Sequence, residues 1–305
     1  MRIFKETLQI KFLERRNLFM GISAVLILAS FVAFFVRSGF NYGIDFRGGT
    51  IVQVKFQEKM DLGEIRQALA DGDLGTFSLQ SFGEEGLHEY LITLGRADVT
   101  KSLQEEGVAT RVANLLRGLG SSPEVRRVES VGPRVGEELK AAAINAILFA
   151  LLAILLYVWF RFHWRFGVGA ILALVHDMLI VLGAFVLTQK EITLPVVAAV
   201  LTTAGYSIND TIVIFDRIRE NLRRYQKKGT LEIFNESINQ TLSRTVLTSG
   251  TTLFVVSAIF LFGGEIINDF AFALMIGIVV GTYSSIFIAA PTVYNLGLLF
   301  PPKIK

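Results

Sequence analysis

The chain has 305 residues, of which 52% are hydrophobic and only 19% charged; it has no cysteine and a net charge of +3. A soluble domain carries about a quarter charged residues, whereas here long apolar runs alternate with clusters of charge. That pattern excludes a disordered chain, a disulfide-stapled secreted domain and a thiolate metal or iron–sulfur centre, and the small net charge gives no reason to expect nucleic acid as a partner.

Residues 1–17 form a basic segment containing Arg2, Lys5, Lys11, Arg15 and Arg16. The first apolar run, Leu18–Val36, approaches the ~20 residues of helix that cross a bilayer. It is too long for the core of a signal peptide, and Ser38-Gly39-Phe40 is a poor cleavage site, so it reads as a retained span. Residues 37–140 then read as a folded domain. Gly49–Phe56 alternates as a strand does, and Asp61–Leu69 has helical spacing with Leu62, Ile65 and Leu69 on one face. Thr76–Phe82 and Leu87–Leu94 are two strands across a Gly83–Gly86 turn, Thr100–Leu116 a second helix striped by Leu103, Val108, Val112, Leu115 and Leu116, and Val125–Val131 a last strand. The order β-α-β-β-α-β predicts a small α+β ferredoxin-like sandwich. The exposed face of its sheet could receive an extended polypeptide, or the domain could be a spacer that merely folds. His88 is isolated, so a metal site is not expected.

Five further spans follow: Ala141–Phe160, Phe166–Leu187, Leu194–Phe215, Leu247–Phe262 and Phe270–Ala290. Residues 141–300 are thus expected to form a helical bundle, interrupted by a basic link over residues 216–243, with a short tail at 301–305. Asp216–Lys228 reads either as a solvated continuation of the fourth span or as a lipid-anchored amphipathic helix. With six spans, the N-terminal segment, Arg161 and Arg165, the arginine-rich link and Lys303 and Lys305 all fall on one side. The positive-inside rule makes that side cytoplasmic, leaving residues 37–140 outside.

An ionisable side chain inside a span is costly and marks a candidate functional site. His176-Asp177 lies in the middle of the third span and reads as a hydrogen-bonded pair between helices or as a participant in ion movement. In the fourth span, Thr202, Thr203, Tyr206, Ser207, Asn209 and Asp210 recur at spacings of three and four, which predicts one polar face. Asp210 lies about 24 Å along the helix from Leu194. A carboxyl at that depth is a candidate proton carrier. Arg244, at the start of the fifth span, precedes Thr245, Thr248, Ser249, Thr251 and Thr252. It keeps its proton, and it reads either as a partner that controls the charge of Asp210 or as an interfacial arginine reaching for lipid headgroups. Gly277-x-x-x-Gly281 in the sixth span, and Gly167, Gly169 and Gly183 in the third, permit close helix packing. No phosphate-binding loop and no nucleophile–base or metal-ligand set occurs, so neither nucleotide hydrolysis nor another enzymatic activity is expected.

Five motifs taken together, GIDFRGGT at 43–50, VGPRVGE at 131–137, ALVHDML at 173–179, GYSINDTIVIFDRIREN at 205–221 and SRTVLTS at 243–249, resemble the SecF family. That family supplies the smaller membrane subunit of the bacterial SecD–SecF protein-export complex and resembles the resistance-nodulation-division transporters. The resemblance covers nearly the whole chain. It implies a six-helix half-unit in the inner membrane, partnered by SecD and by the SecYEG channel, with YajC and YidC as further associates and no cofactor. It implies help in moving unfolded proteins outward after the ATP-driven step of SecA, powered by the proton-motive force. The family's proton pathway falls on Asp210 and Arg244, with Asn209 and Asp177 as further candidates. The alternative is a structural subunit that steadies SecD and the channel without moving protons.

Overall fold

The computed structural model describes residues 9–72, 74, 77–83, 86–95, 105–119 and 123–299. The expectations resting on Arg2, Lys5, Leu103, Lys303, Lys305 and the tail at 301–305 lie outside these residues. Ten helices and four strands are assigned among them, and six helical stretches are long and apolar enough to cross a membrane.

A single 3-10 turn, Leu13–Arg15, leads into α1, Arg16–Val36. Leu13 is fully buried, and its backbone N–H donates to the side-chain oxygen of Asn235 at 2.9 Å. The first apolar helix therefore starts earlier than its hydrophobic run, because the side-chain amides of a later helix satisfy its entering backbone. A short helix α2, Ile44–Arg47, then precedes the four-stranded sheet.

The sheet contains β1 (Gly49–Lys55), β2 (Phe77–Phe82), β3 (Glu89–Leu94) and β4 (Glu124–Val131) in the order β2-β3-β1-β4, with every pair antiparallel. Helices α3 (Leu62–Asp71) and α4 (Glu105–Arg117) provide the crossovers. This is the predicted ferredoxin-like arrangement. Alternation along β1 and β3 turns Val52, Val54, Ile92 and Leu94 onto Ile65, Leu69, Val112 and Leu116 of the helices. Asp61 caps α3 by accepting from the N–H of Gly63. Gly48 and Gly49 enter β1 with φ of 74° and 145°, a conformation that a side chain would strain.

The bundle comprises α5 (Pro133–Arg161), α6 (Trp164–Thr188), α7 (Leu194–Arg224), α8 (Thr230–Phe262), α9 (Glu265–Ser284) and α10 (Ala290–Leu299), with one turn of π-helix, Ser285–Ala289, between the last two. The segment read as a basic link over residues 216–243 is mostly helical: α7 and α8 continue through it, and only Tyr225–Gly229 lies outside both. Charged side chains do not stop a helix whose buried face persists, and Ile218, Asn221, Ile233, Phe234, Ser237 and Ile238 provide that face. Helices α1 and α5 present mainly exposed apolar side chains, whereas α6 is largely enclosed. Gly277 and Gly281 of α9 lie against Thr203 and Ser207 of α7, and a Cβ at Gly281 would fall 2.9 Å from that of Ser207. The small-residue spacing thus brings α7 and α9 into close contact.

One corner ties the α+β domain to the bundle. Ile192 N–H donates to the Asn41 carbonyl at 2.7 Å and Gly43 N–H to the Ile192 carbonyl at 2.9 Å. The N–H of Leu194, first residue of α7, donates to Asp45 at 2.8 Å. Asp45 thereby satisfies an otherwise open donor and places negative charge at the positive end of the helix dipole. Lys190 joins Asp269 at 2.6 Å, bringing in α9. Burial, then the neighbouring charges of Asp269 and Asp45, push the Glu191 carboxyl above its ordinary value, while Arg47 opposes them.

Two outcomes follow from this packing. Gly281→Ala is expected to destabilise the purified protein by about 1–3 kcal/mol, and Gly297→Ala, where an added Cβ meets nothing within 4 Å, to leave its thermal midpoint in place. The folded corner binds the Glu191 proton more tightly than the unfolded chain does. Its contribution is present in acid and is lost as pH rises through the raised value. Amide exchange over residues 41–47 and 189–194, corrected for intrinsic rate, is therefore expected to accelerate as the pH is raised above the ordinary carboxylate range, and Glu191→Gln to remove that dependence.

Candidate ion-pathway site

Two carboxyl groups lie buried between α6, α7, α8 and α9, and they are held very differently. Asp177 of α6 is 4% exposed. One of its oxygens accepts from Ser207 of α7 at 2.6 Å and from Ser284 of α9 at 2.8 Å, and the other lies 2.9 Å from Nδ1 of His176. The His176 ring stacks on Tyr283, whose hydroxyl donates to the Phe19 carbonyl of α1 at 2.7 Å. Asp177 therefore joins three helices directly and reaches a fourth through its histidine neighbour. Ser284 immediately precedes the π-turn at Ser285–Ala289. Such turns interrupt the regular ladder and are frequent at functional sites.

Asp210 of α7 is equally enclosed, at 3% exposed. Among the described residues its one side-chain hydrogen bond is a long one from the Ser249 hydroxyl of α8, at 3.3 Å. Ser249 in turn accepts from Thr282 of α9 at 2.7 Å. The buried hydroxyls of Tyr206 and Thr245 have no hydrogen-bond partner among the described residues. They lie one helical turn before Asp210 and Ser249 respectively. A carboxyl with a single weak donor can change charge at a smaller structural cost than one fixed by several.

The predicted polar face of α7 divides in two. Thr203, Ser207 and Asp210 turn inward with Thr211, while Thr202 and Asn209 are exposed. Adjacent residues on a helix diverge by about 100°, so the pairs 202–203 and 209–210 cannot share one face. Arg244 is also exposed, and no ion pair joins it to Asp210 among the described residues. The arrangement thus brings Asp210 to Ser249 and Thr282, brings Asp177 to His176, Ser207 and Ser284, and places Asn209 and Arg244 on the outside of the same two helices. The hydroxyl partners on α9 were not legible from the sequence. Their spacing from the Gly277–Gly281 contact was the available signal, since that contact sets α9 against α7.

Comparison with known proteins agrees with this architecture. Residues 111–298 match the family described as protein export membrane protein SecD/SecF, C-terminal, and residues 32–60 match the SecD/SecF GG motif. A protein translocase subunit SecF from Desulfurispirillum indicum is 47% identical over 289 residues, covering 92% of this chain and 90% of the relative. One from Vibrio alginolyticus is 45% identical, with the same coverage. The crystal structure of SecDF from Thermus thermophilus superposes with a TM-score of 0.84 at 36% identity, covering 97% of this chain. The chain spans 40% of the length of that SecDF protein. Six membrane-crossing helices, a four-stranded sheet behind the first of them, both signature regions and near full-length relatives converge: the chain is a multi-pass membrane protein that belongs to the SecD/SecF family of protein-export membrane proteins, on its SecF side.

Proposed function

We propose that this chain is a transport subunit, not an enzyme, which works in the cytoplasmic membrane with SecD to complete the outward passage of unfolded proteins delivered through SecYEG by SecA. YajC and YidC are its further associates. Both termini are cytoplasmic and residues 37–140 lie outside, as the distribution of basic residues requires. The observation that carries the reading is Asp210: a buried carboxyl, within a spanning helix, held by a single 3.3 Å hydrogen bond. It takes up and releases a proton, and the approach and withdrawal of Arg244 set its charge.

The same helix carries the consequence to the outside. Asp210 lies on α7, and the N-terminus of α7 is capped by Asp45 of the segment leading into the external sheet. A shift of α7 on protonation therefore pulls directly on the external domain, which holds and releases the emerging chain. The energy is adequate: one charge crossing about 200 mV yields roughly 4–5 kcal/mol, against about 5.5 kcal/mol to invert a 1:99 equilibrium.

SecD covers the exposed polar side chains of the bundle. Thr202 and Asn209 on α7, and Arg244 and Thr251 on α8, face outward within the spanning part, and Gly205 lies exposed on the same side of α7. Polar groups there are costly against lipid and belong against another helix. For Asp177 a structural role is favoured by its fuller set of hydrogen bonds.

In proteoliposomes containing the assembled complex, Asp210→Asn is expected to reduce export under an imposed proton gradient to its rate without one, with SecD still co-purifying. Normal gradient-dependent export would remove Asp210 from the pathway. Asp177→Asn is expected instead to lower thermal stability, by about 1–3 kcal/mol for a disrupted buried hydrogen-bonded group. Gly205→Leu, at a position with nothing within 4 Å, is expected to leave the isolated chain equally stable while weakening its co-purification with SecD.

A further inference from the structure

At the end of the bundle where α1 begins, the α5–α6 link lies beside the C-terminal part of α7. Between them is an open groove of about 510 Å³, walled by Phe160, Arg161, Phe162, Arg219, Leu222 and Arg223 among others. Arg161, Arg219, Arg223 and Arg224 also line an adjoining hollow of about 450 Å³, together with Asp216 and Glu220.

Charge in this region does not balance. Arg161 pairs with Asp216 at 3.3 Å and Arg217 with Glu220 at 2.7 Å, which occupies both acids of the neighbourhood. Arg224 lies over the Tyr225 ring. Arg219 and Arg223 have no anionic partner among the described residues, and their spacing of four sets them one above the other on α7. Guanidinium groups so placed bind a phosphate through paired N–H donors.

The surroundings say which kind of phosphate. Phe160 is 98% exposed and Trp159 is 61% exposed, at the end of a helix that crosses the membrane. Aromatic side chains at that level sit among lipid headgroups. A dissolved anion gains nothing from this apolar rim, whereas a phospholipid uses both features.

We propose that the groove holds an anionic phospholipid, with its phosphate between Arg219 and Arg223 and its acyl chains along Phe160. Basic pockets between spanning helices recognise headgroups in this way. The bound lipid bridges the α5–α6 link to α7, the helix that carries Asp210. The proposal does not depend on proton movement through that residue.

The test is native mass spectrometry of the purified full chain, released from micelles containing equal phosphatidylglycerol and phosphatidylcholine. The native chain is expected to retain phosphatidylglycerol preferentially. The double variant Arg219→Gln/Arg223→Gln is expected to bind it about tenfold or more weakly. Arg15→Gln/Lys227→Gln, with the same charge loss outside the groove, is expected to retain it, and excess inorganic phosphate is expected not to displace it. Equal retention of both lipids by the native chain would overturn the proposal whatever the variants do. Equal loss in the two double variants would reduce it to diffuse attraction, and displacement by inorganic phosphate would make the groove a site for a free anion.

Discussion

A carboxyl group in the hydrocarbon part of a membrane must be solvated by the protein or give up its charge. This bundle contains two such groups and treats them in opposite ways. Asp177 receives two short hydroxyl hydrogen bonds and a histidine neighbour, which fix it as a junction of helices. Asp210 receives one long bond. The two networks run side by side on α7 and α9: Ser207 and Ser284 turn to one carboxyl, and Thr282, through Ser249 of α8, to the other. The firm junction allows the looser site to exist, because it holds α6, α7 and α9 together whatever the charge on Asp210.

The glycines of α9 set the distances that these hydroxyl bonds need. With Gly277 and Gly281 against Thr203 and Ser207, α9 comes close enough for short side chains to bridge the helices. Larger residues would separate the helices beyond the reach of serine and threonine. At the other end of α7, the same economy appears in Asp45, one side chain that joins the α+β domain to the helix carrying the candidate proton site.

Much of this was legible in the residues. The alternation of β1 and β3 and the apolar stripes of the crossover helices specified the sheet, since burial of one face leaves little choice of register. The apolar runs specified the spans. The sequence indicated Asp210 and Asp177 because buried charge is conspicuous, but it did not distinguish their roles, which depend on partners from other helices. It also suggested a single polar face where the helix has two, since neighbouring polar residues at 202–203 and 209–210 satisfy the same spacing in opposite directions. Helix ends were the least legible feature: Leu13 and the charged ends of α7 and α8 lie beyond the apolar runs, stabilised by contacts that no local pattern contains. The cap that Asp45 provides spans 149 positions in the chain and has no local signature.

The most direct measurement is infrared difference spectroscopy of the assembled complex in lipid, titrated with acid and base and compared with Asp210→Asn. Reversible protonation of Asp210 predicts a protonated-carboxyl band that comes and goes with pH in the native protein and is missing from the variant. Identical spectra for the two, with no titrating carboxyl assignable to Asp210, would show that this residue keeps one charge throughout and that the chain only braces its partners.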